Sequence, residues 1–132
     1  MKKPVDWDDL YPGRFVKAGE LGAGSPMVTI ADVELEDLEG DDGVKTRGVV
    51  AFRETPKKLV LNKTNGICLR EMFGRTLADW VGKRVLLYAA TWNGEPAIRI
   101  WGSPDIEADR VVEIKLPRRK ASRMTLHKEA KK

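Results

Sequence analysis

The chain has 132 residues, a formal net charge of +4 and a hydrophobic fraction of 42%. This length favours one domain with a tail, and no apolar run approaches the roughly 18–20 residues that cross a bilayer. The single cysteine, Cys68, and the single histidine, His127, exclude an intrachain disulfide and a zinc cluster. We therefore expect no metal, no cofactor, no membrane partner and no secretory signal, and the composition suits a reducing cytoplasm.

The positive charge is concentrated at the end of the chain. Residues 115–132 hold eight Lys or Arg and one acid, whereas residues 1–114 hold 16 basic and 19 acidic side chains. We predict that 117–132 forms a flexible basic tail, because it offers few apolar groups to offset the entropy of ordering. Such a tail on a mildly acidic domain favours contact with nucleic acid, and the alternative is a solvated tail that only aids solubility.

The first half of the chain predicts an arm and three strands. Residues 1–24 are expected to form an N-terminal arm whose apolar residues pack on the body. Residues 27–36 alternate as a strand, and the apolar face switches near Ala31, which predicts a bend or a bulge. An acidic loop with glycines follows, and two more strands are predicted over 44–52 and 58–62.

The pattern then changes from strand to helix and back. Thr64 or Asn65 is the predicted cap of a helix that ends at Gly74. Later segments alternate as strands, with Asn93 and Gly94 supplying a tight hairpin turn between the first two. The predicted strands in this half are 83–91, 97–101 and 111–116.

The order of these elements predicts the fold class. A single helix between the third and fourth of five mainly antiparallel strands is typical of the OB-fold, a small Greek-key barrel. We therefore predict a mainly β protein, with a five-stranded OB-fold-like Greek-key barrel over residues 25–116 and one helix between strands 3 and 4.

Several segments together resemble a family of small β-barrel proteins, without an assigned activity, that phages and prophages carry. The segments are RFVKAGEL at 14–21, VTIADVE at 28–34, LVLNKTN at 59–65, WVGKRVLLY at 80–88 and AIRI at 97–100. The resemblance implies a phage or prophage setting in the cytoplasm of a bacterial host cell, and a small barrel. It supplies no functional residues.

The residues show no catalytic arrangement, and we predict that the protein is not an enzyme. His127 lies in the predicted tail, where a flexible segment cannot hold a catalytic geometry. The glycine-rich run 22–25 lacks the lysine and the helix of a phosphate-binding loop. The acidic run 34–42 could bind a cation, but it lacks EF-hand spacing, and a solvated hairpin loop is the favoured interpretation.

Cations and aromatic residues form the candidate binding surface. Nucleic acid on an OB barrel lies across strands 2 and 3, between the 1–2 and 4–5 loops. Exposed aromatic rings can stack bases there, and neighbouring cations can hold phosphates. The alternative is that Phe52 and Trp101 belong to the core. The predicted site residues are Arg47, Phe52, Arg53, Lys57, Lys58, Lys63, Trp92, Arg99, Trp101, Arg118, Arg119, Lys120 and Arg123.

Two functions remain open from the sequence. The first is a nonenzymatic protein that binds single-stranded nucleic acid, expected to be DNA, in phage DNA replication, recombination or repair. The second is a protein-interaction module that modulates a host or phage DNA-processing complex, with a replication or recombination protein as partner. The acidic loop between the first two predicted strands argues against tight binding of a single strand on that flank. It could instead shield the site, mimic phosphates or contact a basic partner protein.

Overall fold

The computed structural model describes residues 16–40, 43–92 and 94–131, and the fold is mainly β. The strands are β1 (Met27–Gly40), β2 (Gly43–Phe52), β3 (Leu59–Val60), β4 (Arg84–Trp92), β5 (Glu95–Gly102), β6 (Arg110–Ile114) and β7 (Ser122–Leu126). Within these residues one α-helix, α1 (Lys63–Phe73), lies between β3 and β4 as predicted. Short 3-10 helices span Ala18–Glu20 and Leu77–Trp80.

Strand β1 is long because it pairs with a different strand along each of its two parts. Met27 to Thr29 pair with β4, and the strand pairs with β2 from Ile30 onward. The register shifts between Ile30 and Asp32, so Ala31 is the additional residue of a bulge. The bulge predicted near Ala31 is therefore confirmed.

The five strands β1 to β5 form one antiparallel sheet in the order β3-β2-β1-β4-β5. The mainly β class and the five antiparallel strands are thus confirmed. Within the described residues no hydrogen-bonded strand pair joins β3 to β5, so strand pairing leaves the sheet open at these two edges. Residues 16–19, the start of α1 and the two strands line the gap between the edges.

The cap of helix α1 is Asn62, which lies two residues before Thr64 and three before Asn65. The Asn62 side chain accepts a hydrogen bond from the Asn65 backbone N–H at 2.8 Å, which satisfies a free amide of the first turn. The prediction of Thr64 or Asn65 as the cap is wrong, because both residues lie inside that turn. Gly74 follows the helix with a φ of 98°, a left-handed conformation that favours glycine, so the predicted end is confirmed.

The core lies between the sheet, α1 and the C-terminal strands. Trp80 is buried there, and its indole N–H donates to the Gly74 carbonyl at 2.7 Å, so the polar atom of this large side chain has a partner. Other members of the core are Ile30, Val50, Phe52, Leu69, Leu87, Ile100, Val112, Ile114 and Leu126.

The predicted flexible tail contains a folded strand. β7 pairs with β6 along its whole length, and Leu126 is fully buried in the same core cluster as Val112 and Ile114. The prediction of a tail without regular structure over 117–132 is therefore wrong where β7 forms. Met124 and Leu126 alternate with polar residues, and this period-2 pattern orders the segment in spite of its charge.

The N-terminal arm predicted over 1–24 is described from Val16 onward, and residues 1–15 lie outside the described part. Ala18 is buried, and Val16 and Leu21 pack against the core. The Val16 N–H donates to the Lys58 carbonyl at 2.9 Å, which holds this end of the arm beside β3.

Candidate nucleic-acid interface

A groove lies between the start of α1, the middle of β5 and the β6–β7 hairpin. Its volume is about 490 Å³. Three of the residues along it are cations, and all three are predicted site residues; we call it the basic groove. The residues that line it are Thr64, Arg99, Ile114, Leu116, Arg119, Lys120, Ser122 and Met124. None of these residues is acidic.

The β6–β7 hairpin brings cations from the end of the chain to Arg99 on β5. The turn between its strands is held by the Arg119 N–H, which donates to the Leu116 carbonyl at 3.2 Å, and by the Lys115 ammonium, which donates to the Arg119 carbonyl. Arg99 is half-buried, and its Nη1 donates to the Ile98 carbonyl at 3.3 Å. Because both elements pack on one core, these cations occupy defined positions rather than a mobile tail.

Arg118 has an unusual backbone conformation at the tip of the same hairpin. Its φ is 62°, in the left-handed region that side chains other than glycine and asparagine rarely adopt. Such strain persists only where the surrounding structure enforces it, and it occurs often at binding sites. Arg118 is exposed and precedes the groove residue Arg119 in the chain, so it is a further candidate for contact with a phosphate.

The remaining predicted cations are exposed but scattered. Lys63 is the first residue of α1 and adjoins the groove in sequence, whereas Arg53 follows β2. Arg47 lies opposite a glutamate in the register of β1 and β2. Arg123 alternates along β7 with two residues that line the groove, so its side chain lies on the opposite face of that strand.

The cations predicted beside β3 are engaged with acidic side chains. The ammonium of Lys57 lies 2.5 Å from the carboxylate of Glu20, and its hydrogen bond lowers the pKa of that carboxyl. The ammonium of Lys58 lies 3.2 Å from Glu34 and 3.6 Å from Glu36. These acids reduce the positive potential that the two lysines present to a phosphate.

The predicted aromatic platform differs from the structure. Phe52 is only 7% exposed and lies in the core, so the prediction of a base-stacking ring there is wrong. The C-terminal residues cover Trp101: its Nε1 donates to the Glu129 carbonyl at 2.9 Å, and the ring of His127 stacks on it with centroids 4.3 Å apart. A base cannot stack on the face that His127 occupies. The side chain of Trp92 lies outside the described part.

The acidic segment is a two-stranded ribbon rather than the predicted loop. β1 continues to Gly40, and its pairing with β2 extends to Gly43. Leu35 is 71% exposed and Val44 is 62% exposed, and the pairing register places them on one face of the ribbon. We call the paired residues 34–40 and 43–47 the acidic ribbon.

Other chemistry has little support in the described residues. No three His, Cys, Asp or Glu side chains converge there as a metal site. Cys68 is buried, and desolvation raises the pKa of its thiol to about 11, so the sulfur is not a thiolate at neutral pH. In the same part of the chain, no helix has the length and apolar character that a bilayer crossing requires.

Two polar contacts between distant segments are not among the sequence predictions. Arg84 donates through Nη2 to Asp105 Oδ1 at 2.6 Å and through its backbone N–H to Oδ2 at 2.7 Å, and the side-chain bond lowers the pKa of Asp105. Asn65 is buried, and its Nδ2 donates to the Ile98 carbonyl at 2.9 Å. The only available signal for Asn65 was an amide residue among the apolar positions of a helix.

No protein-family model, no curated protein and no solved structure matches this chain. The resemblance to the phage-borne β-barrel proteins therefore stays a prediction, and function has to be inferred from the residues of the groove.

Proposed function

We propose that this protein binds single-stranded nucleic acid, most simply DNA, without catalysing a reaction on it. The observation that carries the proposal is the convergence of Arg99, Arg119 and Lys120 in one groove. Cations at fixed neighbouring positions can contact successive phosphates of one strand, and each contact releases a condensed counterion. This release supplies affinity that does not depend on the base sequence.

The groove also offers apolar contact beside its cations. Ile114, Leu116 and Met124 line it together with the basic side chains. A duplex keeps its bases stacked inside, whereas a single strand can turn its bases toward a protein surface. The mixture of aliphatic and basic groups therefore supports a single strand as the ligand.

The architecture is consistent with an OB-fold-like protein. The strand order and the place of α1 follow the OB pattern, although strand pairing does not join β3 to β5. An OB ligand usually crosses strands 2 and 3, but here Lys57 and Lys58 are paired with acids. The groove beside β5 has no acidic residue in its lining, which supports it as the binding surface. Because of the sequence resemblance, the proposal includes a role in phage DNA replication, recombination or repair in the bacterial cytoplasm.

The test is fluorescence anisotropy of a labelled single-stranded oligonucleotide at low salt. The double variant Arg119→Gln/Lys120→Gln removes two groove cations, and we expect roughly tenfold weaker binding from two lost phosphate contacts. The control Lys83→Gln/Arg110→Gln removes the same charge from exposed positions outside the groove, and its affinity should stay within about twofold of the wild type. Equal losses in the two double variants, both verified as folded by circular dichroism, would contradict the proposal.

One observation favours a second candidate function, the protein-interaction module. The acidic ribbon exposes Leu35 and Val44 on one face, and apolar side chains rimmed by charge are typical of protein contact sites. If the intact protein binds no oligonucleotide at low salt, this second function replaces the first.

A further inference from the structure

A second cavity occupies the gap between β3 and β5. Its volume of about 470 Å³ lies within the range of small-molecule binding sites. Most of its wall is aliphatic, with Val16 from the arm, Leu59 and Val60 from β3, and Ala97 and Ile98 from β5. Asn65 of α1 also lines it, and we call it the Asn65 cleft.

The Asn65 cleft and the basic groove meet along one contact. Thr64 lines the groove and its neighbour Asn65 lines the cleft. Arg99 likewise lines the groove, and Ala97, which lies on the same face of β5, lines the cleft. The hydrogen bond from Asn65 Nδ2 to the Ile98 carbonyl joins α1 to β5 between the two cavities. A nucleotide whose phosphate contacts Arg99 can therefore extend its base toward the cleft.

A polar atom of Asn65 has no partner. Asn65 is 1% exposed, and its Oδ1 accepts no hydrogen bond. The orientation of the amide is defined, because only Nδ2 can donate to the Ile98 carbonyl. Buried acceptors are nearly always paired with a donor, so this oxygen calls for a donor from a bound molecule.

We propose that the Asn65 cleft binds one unstacked nucleobase, whose N–H group donates to Asn65 Oδ1 while its phosphate lies in the basic groove. This inference rests on the proposed function and assigns the place of the base. Nucleobases carry N–H donors on the edges that proteins read, and aliphatic walls suit the faces of a planar ring. Oδ1 is closed from solvent, so the proposal includes a local opening of the cleft wall as the base enters.

The test compares a single-stranded oligonucleotide with the same oligonucleotide carrying abasic sites. Asn65→Leu removes the acceptor at similar size, and Ala97→Ile fills the cleft from β5. Ala90→Ile is the matched control, because Ala90 is the cross-strand partner of Ala97 on β4 and does not line the cleft. We expect the wild type and Ala90→Ile to bind the abasic strand about tenfold more weakly than the strand that keeps its bases, because one hydrogen bond and one base contact are lost. The two cleft variants should bind both strands at the weaker level.

The outcomes separate the cleft from the groove. If the wild type binds both strands equally while Arg119→Gln/Lys120→Gln still weakens binding, the cleft proposal is wrong and the proposed function stands. The cleft proposal is also wrong if Ala97→Ile discriminates like the wild type. If Asn65→Leu does not fold, Ala97→Ile alone decides.

A free nucleotide offers the same chemistry as a base within a strand, and deoxynucleoside monophosphates distinguish the two sources. Binding of a monophosphate that Ala97→Ile abolishes, without binding of any oligonucleotide, would support the cleft as a nucleotide site and overturn the proposed function. Binding of neither probe would overturn both.

Discussion

The acidic ribbon and the β6–β7 hairpin are both two-stranded, charged and antiparallel, but they relate to the core in opposite ways. Residues 34–47 carry six acids and two basic side chains, whereas residues 110–126 of the hairpin carry one acid and six basic side chains. In the ribbon, Leu35 and Val44 are exposed, whereas Val112 and Leu126 of the hairpin are 2% and 0% exposed. Local charge therefore does not decide whether a segment folds onto the body, and the placement of a few apolar residues does.

The difference also separates two kinds of surface. The hairpin is fixed on the core, so its cations reach the basic groove at defined positions. No described acid of the ribbon lines the groove, and Glu34 and Glu36 lie close to Lys58 beside β3. A polyanion is thus attracted to the β6–β7 hairpin and repelled by the acidic ribbon.

The largest expected effect on stability comes from replacing one leucine by alanine in the hairpin, compared with the same replacement in the ribbon. Leu126→Ala leaves a cavity in the core and should lower the free energy of unfolding by about 2–5 kcal/mol. Leu35→Ala removes a largely exposed side chain and should change it by no more than about 0.5 kcal/mol. Urea unfolding of both variants measures the two values, and similar losses would abolish the distinction between the two elements.

A smaller effect is expected where the C-terminal segment contacts β5. A Cβ on Gly102 would overlap the backbone of His127, so Gly102→Ala must displace a segment that exchanges hydrogen bonds with Trp101 and Ser103. We expect a loss of roughly 1–3 kcal/mol in urea unfolding.

Gly66→Ala is the control for the glycine change, because the Cβ it would add meets no atom within 4 Å beyond its chain neighbours and the backbone of its own helix. Alanine is favoured over glycine in a helix, so this variant should gain about 0.5–1 kcal/mol. A neutral result for Gly102→Ala would mean that the C-terminal segment is not held closely against β5.

The smallest expected effect on stability comes from a change in the connection between β5 and β6. Asp105 accepts hydrogen bonds from Arg84 at the start of β4, and these lower its pKa in the folded protein. A carboxyl whose pKa is lowered by folding stabilises the folded state. This stabilisation is fully present above the pKa of the unfolded chain, near 4, and is lost as the pH falls through the pKa of the folded protein. Asp105→Asn should therefore be less stable than the wild type at pH 7.

Thermal unfolding at a series of pH values measures this difference. The gap in Tm between the wild type and Asp105→Asn should narrow below about pH 4, because the wild-type carboxyl is then protonated. A gap that stays constant from pH 7 to pH 3 would assign the effect of the variant to packing rather than to the ion pair.

Features that depend on local sequence could be predicted. The bulge near Ala31, the helix that ends at Gly74 and the strands on either side of Gly94 each have a signal within a few residues, and the structure contains them. Three groove cations were also among the predicted site residues.

Features that depend on distant contacts could not be predicted. β7 is ordered by burial of Leu126, and Trp101 is covered by residues 127–131, so both depend on how the end of the chain returns to β5. The composition of residues 115–132, with eight cations, predicts a flexible tail, and the alternating pattern of β7 is too short to change that prediction. The acidic ribbon likewise pairs through a register that its charged residues do not indicate, and its composition predicts a loop.

The central claim is that fixed cations of the basic groove contact phosphates of a single strand, and the salt dependence of binding tests it most directly. Three contacts, each contributing a log–log slope of about −0.7, should give the wild type a slope of about −2. Arg119→Gln/Lys120→Gln should reduce it to about −0.7, while Lys83→Gln/Arg110→Gln should leave it near the wild-type value. A wild-type slope that the groove variant does not change would contradict the account.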